Sequence, residues 1–208
     1  MKILFFGDSI TDAFRSGEDF GLQSYGCGYV RNIVAQLQAE NPIKYQIINR
    51  GVSGNSIADL YARAKMDVWD HNPDVLSVLV GINDVYTTGN PKAVRINRFE
   101  ELYRMLIEDS QKQNPNIKII LCEPFVLKAN RERQIYQEML DVENYAKVVK
   151  KLANEYNLPY VLLQDKFREK AAVYGDEQYL CDGVHPTIAG AKIIADEWLN
   201  VFKRICNE

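Results

Sequence analysis

Five short apolar runs recur along the chain with helical patterns between them, and this alternation is what most narrows the folds available to it. Ile3 to Phe6, Tyr45 to Asn49, Val75 to Val80, Ile117 to Cys122 and Tyr160 to Leu163 are rich in β-branched residues and lack a polar face. They read as strands buried on both sides, the pattern of a parallel sheet. Phe99, Leu102, Tyr103, Leu106 and Ile107 instead fall at helical spacing, as do Val142, Tyr145, Val149, Leu152 and Tyr156. Tyr29 to Glu40, Ser56 to Trp69 and Thr187 to Ile205 complete the helical set. Strand and helix in regular alternation predict an α/β fold, a five-stranded parallel sheet covered by helices on both faces. No linker, low-complexity tract or repeat divides the 208 residues, so one domain over residues 1–208 is expected.

A sheet of this kind places its chemistry outside the carboxyl ends of the strands. Four polar stretches fall there: Ile10 to Cys27, Asp84 to Asn97, Glu123 to Asp141 and Arg168 to Val184. They are expected to be loops that share one rim and frame a cleft. Composition removes several classes of partner. A net charge of −3 without a dense Lys/Arg cluster argues against nucleic acid, and no apolar run is long enough to span a bilayer. Met1 leads straight into the first strand, so a cytoplasmic protein is expected unless a leader was removed. Cys27, Cys122, Cys181 and Cys206 are widely spaced, and two buried thiols with two bystanders is a simpler account than a zinc site or a disulfide framework. With only His71 and His185, a multi-histidine metal site is also unexpected. A mechanism needing an imidazole has those two to choose from.

Four stretches at the rim carry chemistry together. The first strand runs into G-D-S, Gly7 to Ser9. The second ends in N-R-G-V-S-G-N-S, Asn49 to Ser56, the third in G-I-N-D, Gly81 to Asp84, and D-G-V-H-P, Asp182 to Pro186, precedes the last helix. Singly, each has an ordinary reading as a turn or a helix cap. Jointly they supply what acyl transfer from an ester requires: a nucleophile, a base, a carboxylate that fixes the base's tautomer, and donors for the oxyanion. Ser9 is the candidate nucleophile and His185 the candidate base. Asp182, three residues earlier, is near enough on a short turn to reach Nδ1. The backbone N–H groups of Ser9 and Gly51 and the side-chain amide of Asn83 are the candidate oxyanion donors, a glycine at 51 allowing close approach to the backbone.

These blocks, in this order, resemble the four signatures of the SGNH hydrolases, the GDSL esterases and lipases, and they span nearly the whole chain. The first block reads G-D-S-I, so Ile10 keeps the apolar character of the family's leucine. The resemblance implies a three-layer flavodoxin-like sandwich, a Ser9/His185/Asp182 triad, an oxyanion hole from Ser9, Gly51 and Asn83, and no metal or organic cofactor. The α/β-hydrolases differ, since they carry their serine mid-chain in G-x-S-x-G, a pattern no serine here fits.

The expected partner is a small-molecule ester, with acetyl esters of carbohydrates favoured because the rim loops after Asn83 and Glu123 mix polar and aromatic residues. The alternatives are a lysophospholipase or thioesterase acting on longer acyl chains, and a non-catalytic ligand-binding module whose G-D-S turn cradles phosphate. Around the core candidates, Asp84 is expected to hold the loop that aims Asn83, with Ser53 and Asn55 steadying the second block. Glu123 is expected to line the cleft or form a salt bridge, and His71 to answer a helix end. Tyr25, Tyr86, Phe125 and Tyr136 are candidate substrate contacts; Tyr103, Tyr145 and Trp198 are expected in the core.

Overall fold

A computed structural model describes residues 1–16, 21–85, 87, 90–129 and 133–206. Five strands form one parallel sheet in the order β2-β1-β3-β4-β5: β1 (Lys2–Gly7), β2 (Gln46–Gly51), β3 (Val75–Leu79), β4 (Lys118–Cys122) and β5 (Tyr160–Val161). Every residue of β3 is buried, as a strand covered on both faces must be. Helix α2 (Tyr29–Glu40) packs against α8 (Ile188–Cys206), which also meets α7 (Gln164–Tyr174). On the other flank α3 (Ile57–Asp67) packs on α4 (Ile96–Gln113), and α4 on α6 (Val142–Glu155). The helical periodicities account for this packing: Phe99, Tyr103, Leu106 and Ile107 of α4 are buried, as are Val142, Tyr145, Val149 and Leu152 of α6. The one polar side chain of β3, Ser77, accepts the indole N–H of buried Trp198 at 2.9 Å, so neither group is left unpaired.

The strand order reverses between β1 and β3, and the register sets Gly7 beside both Gly51 and Leu79. Segments leaving β1, β2 and β3 therefore emerge side by side at the point where such sheets bind ligands.

Several expected loops are partly helical. Ser9–Asp12 forms the single-turn helix α1, Leu22–Tyr25 a 3₁₀ turn, and Arg133–Met139 the short helix α5. Helix α7 occupies part of the stretch expected as a loop from Arg168. Only Gln164, Phe167 and Ala171 of it are buried, too few apolar positions to mark a helix in the sequence. The same helix shortens the last strand. Leu163 N and Gln164 N both donate to Glu123 Oε2, at 2.6 and 2.8 Å, so the chain leaves the sheet after Val161. Helix α3 stops at Asp67, and a separate 3₁₀ turn, Trp69–His71, follows. Among the described residues no helix is long and apolar enough to cross a membrane.

Candidate active site

The turn after β1 is too tight for any side chain at position 7: a Cβ on Gly7 would lie 2.3 Å from Thr11 Oγ1 and 2.4 Å from Leu79 O. Asp8 caps α1, its Oδ1 accepting Ile10 N at 3.0 Å, and this sets Ser9 at the start of that helix. The G-D-S stretch is thus a helix cap and a serine mount at once. Ser9 Oγ lies 2.9 Å from His185 Nε2, bridging 176 positions of sequence.

On the other side of the imidazole, His185 Nδ1 lies 2.8 Å from Asp182 Oδ2. Asp182 Oδ1 accepts the backbone N–H of Val184 at 3.0 Å and of His185 at 2.8 Å. Gly183, at φ 85°, permits this tight turn, and an antiparallel bridge between Leu180 and Pro186 closes its base. Burial is the largest influence on the Asp182 carboxyl and would raise its pKa. The bonds from the His185 amide and imidazole and from the Val184 amide outweigh it and hold the group below the ordinary carboxylate range. An anion at Asp182 keeps the proton on Nδ1, so Nε2 is the nitrogen that accepts from Ser9.

Asn83 sits on a 3₁₀ turn (Ile82–Asp84) after β3 and lines the same cavity as Ser9 and His185. One N–H of its amide donates to Asn55 O at 3.0 Å, which directs the side chain. Asp84 anchors the turn from behind, accepting Ile57 N at 2.9 Å and so capping α3; burial pushes its carboxyl up to about 8. Asn90 adds two bonds from its amide, to Asn83 O at 3.0 Å and Val85 O at 2.8 Å.

Gly51 departs from its expected place. Its N–H donates to Asn49 Oδ1 at 2.8 Å, and the residue is buried outside the cavity wall. A Cβ there would stand 2.1 Å from Asp12 N, so this glycine lets α1 lie against β2. Gly54, three residues on, lines the cavity at φ 78°, with open space where a Cβ would project. Its N–H finds no acceptor among the described residues. Both glycines stand in the quoted N-R-G-V-S-G-N-S block, and only the path of the chain separates their tasks.

Arg63 was not singled out from the sequence, where it reads as a polar residue of an amphipathic helix. Its guanidinium donates to Gly7 O at 3.1 Å, Arg50 O at 2.9 Å and Asn55 Oδ1 at 2.7 Å, and also pairs with Asp67 at 2.7 Å. One side chain of α3 thereby ties together the ends of β1 and β2 and the residue that directs Asn83.

The cavity measures about 890 Å³. Its described wall comes from the segments after β1, β2 and β3 and from the His185 loop, with Ile10, Ala13, Phe14, Pro186 and Ile188 making much of it apolar. The polar loop after Glu123 contributes no described residue. Glu123 itself caps α7, Phe125 is buried against Phe167 with ring centroids 4.5 Å apart, and Tyr25 is buried as well. Tyr136 is half-buried away from the wall, and Tyr86 lies outside the described residues. Tyr103, Tyr145 and Trp198 are in the core as expected. His71 ends the 3₁₀ turn, its Nε2 2.9 Å from Arg50 Nη2 and not in the cavity wall. Ser53 Oγ donates to Asp12 Oδ2 at 2.5 Å, steadying the second block. Cys27 and Cys181 are exposed in the cavity wall, Cys122 is buried, and the Cys206 side chain is outside the description. Among the described residues no three His, Cys, Asp or Glu side chains are grouped as a metal would need.

The chain is similar in sequence and in fold to known proteins. Residues 5–193 match the model of the GDSL-like lipase/acylhydrolase family. The chain is 36% identical to an acetylxylan esterase of Geobacillus stearothermophilus, over 95% of this chain and 92% of that protein. It is 29% identical to the isoamyl acetate-hydrolyzing esterase of Saccharomyces cerevisiae, over 97% of this chain and 86% of that one. A crystal structure of the Geobacillus enzyme superposes with a TM-score of 0.83 at 35% identity, covering 96% of this chain and 92% of that chain. Variants of that enzyme described as catalytic mutants alter one serine, one aspartate and one histidine. The chain belongs to the GDSL-like lipase/acylhydrolase family, and it is a serine hydrolase acting on ester bonds.

Proposed function

We propose that this chain, as one domain, removes acetyl groups from esters of carbohydrates through a Ser9/His185/Asp182 triad. His185 Nε2 takes the Ser9 proton as Oγ attacks the acyl carbonyl. The negative charge that develops on the carbonyl oxygen meets the N–H groups of Ser9 and Gly54 and the second N–H of the Asn83 amide. Gly54 replaces Gly51 in this role because the Gly51 N–H is already bonded to Asn49. Collapse of the intermediate breaks the ester C–O bond, His185 returns the proton to the departing alcohol, and an acetyl group remains on Ser9. Water, deprotonated by the same imidazole, then releases acetate and restores the serine.

The observation that carries this reading is the Ser9–His185–Asp182 chain of contacts, at 2.9 and 2.8 Å, opening onto a cavity in a member of an esterase family. The acetyl and carbohydrate parts rest on the relatives, one an acetylxylan esterase and one an acetate-ester hydrolase. Ser9→Ala and His185→Ala should each remove nearly all turnover without unfolding the protein, and their losses should not add, because nucleophile and base act as a unit. Fluorophosphonate labelling should vanish with Ser9; persistence of labelling would identify another nucleophile and overturn the assignment.

The apolar wall of the cavity favours a second reading, a lysophospholipase or thioesterase taking longer acyl chains. Each CH₂ buried would add about 0.8 kcal/mol. A p-nitrophenyl ester series from acetate to decanoate separates the two. Highest kcat/KM at acetate or butyrate supports the acetyl reading, and a steady climb to decanoate supports the other.

A further inference from the structure

Phe14 stands 91% exposed just beyond the nucleophile helix and lines the cavity shared by Ser9 and His185. Its backbone is left-handed, at φ 60°, and so is that of Ala13, at φ 45°. Residues with a side chain enter that region at an energetic penalty, and a bulky one seldom does. The surrounding chain is shaped to hold the turn in place. Ala13 N donates to Ser9 O at 2.9 Å, and Cys27 N donates to Ala13 O at 2.8 Å. The segment that supplies Cys27 is flanked by glycines that fit only without side chains. A Cβ on Gly26 would lie 2.5 Å from Asp12 O, and one on Gly28 would lie 2.6 Å from Ala13 Cβ.

This is an unfavourable arrangement for the isolated chain on two counts. The backbone is strained, and a large aromatic ring is left in water. Strain that the neighbouring structure holds so firmly is characteristic of a ligand site. The ring's position also says which half of an ester it would meet. Phe14 is at the open mouth of the cavity, so whatever rests on it stays partly in water, as the alcohol half of a substrate extending outward would. An acyl chain would gain little there, because its burial requires an enclosed channel.

We infer that Phe14 is a platform for a pyranose ring, holding the sugar of an acetylated carbohydrate while its acetyl group reaches Ser9. The inference rests on the carbohydrate-ester reading above. A pyranose presents a face of C–H groups that packs on an aromatic ring, while its hydroxyls remain at the edge for polar groups and water. Ile188, 87% exposed at the first turn of α8, borders the same mouth from the side of the base and extends the apolar surface. Ser53, Asn83 and Thr187 supply polar groups around it.

The test measures acetate release from tri-O-acetylated methyl β-xyloside and from ethyl acetate, whose alcohol has no ring to stack. In Phe14→Ala the ratio of kcat/KM for the sugar ester to that for ethyl acetate should fall about tenfold, mainly through KM, the scale of one aromatic contact. Phe14→Trp should restore it. Because the side chain is exposed, the alanine variant loses no packed core, and its thermal midpoint serves as the folding control. Equal falls for both esters, or an unchanged ratio, would overturn the platform. So would an unchanged ratio with a change in sedimenting mass, which would make Phe14 a contact between copies of the chain. A wild-type protein that cleaves ethyl acetate but not the sugar ester would instead overturn the carbohydrate reading itself.

Discussion

Asp8 offers a direct test of how this site is built, because its carboxyl is fully buried yet only half satisfied. Oδ1 accepts Ile10 N, whereas Oδ2 has no hydrogen-bond partner among the described residues. Burial is the dominant influence and raises the group to about 7, against the opposing bond from Ile10 and the attraction of His185. A carboxyl whose pKa is raised by folding stabilises the protein below its unfolded value, where both states hold the proton. That stability is lost as pH rises through the folded value, because the unfolded chain releases the proton more readily. Between pH 5 and pH 8 the folded Asp8 passes from protonated to ionised while the unfolded one is already ionised at the start. The two pH units from 5 to about 7 correspond to a loss of about 3 kcal/mol. Asp84, raised by burial to about 8, adds a loss of the same sign. Asp8→Asn keeps an oxygen for Ile10 N and cannot ionise. Urea unfolding at pH 5, 6, 7 and 8 should therefore show the wild type losing about 3 kcal/mol more than Asp8→Asn across that range. Parallel curves for the two proteins would mean that Asp8 does not titrate there, and the account of its burial would fail.

Asn83→Ala should lower kcat by about 10²-fold with little change in KM, the expected loss of one oxyanion donor; a raised KM with kcat intact would make Asn83 a ground-state contact. Gly51→Ala and Gly54→Ala should behave in opposite ways. The first drives a Cβ to 2.1 Å from Asp12 N and should lower the thermal midpoint markedly. The second has open space but a left-handed backbone, so it should destabilise by only about 1–2 kcal/mol while kcat falls. The reverse pattern would return the donor role to Gly51. N-Ethylmaleimide should inhibit, because Cys27 and Cys181 line the cavity and Cys181 Sγ donates to His185 O at 3.3 Å. A Cys27→Ser/Cys181→Ser protein should resist the reagent, and equal inhibition of that variant would exclude both thiols.

What the sequence by itself determined was whatever depends on near neighbours. Five apolar runs with helical periods between them were enough for the sheet and its class, since strand and helix spacing are written into consecutive residues. The Asp182–His185 contact was equally legible, being one turn stabilised at Gly183. Helix α7 was not, because most of its residues face water and it buries too few apolar side chains to show a period. Which of the two glycines opens on the cavity was decided only by tertiary structure. Gly51 and Gly54 share one loop and one residue type, and they part because the first is enclosed by Asn49 and α1 while the second opens on the cavity. Arg63 and Phe14 belong to the same class. One is a helix-surface arginine until the strand ends converge on it, and the other an ordinary phenylalanine until a left-handed turn holds it out at the mouth of the site. Ser9 and His185 stand out in the sequence, but the 2.9 Å between them exists only because the fold brings the turn after β1 against the loop that precedes α8.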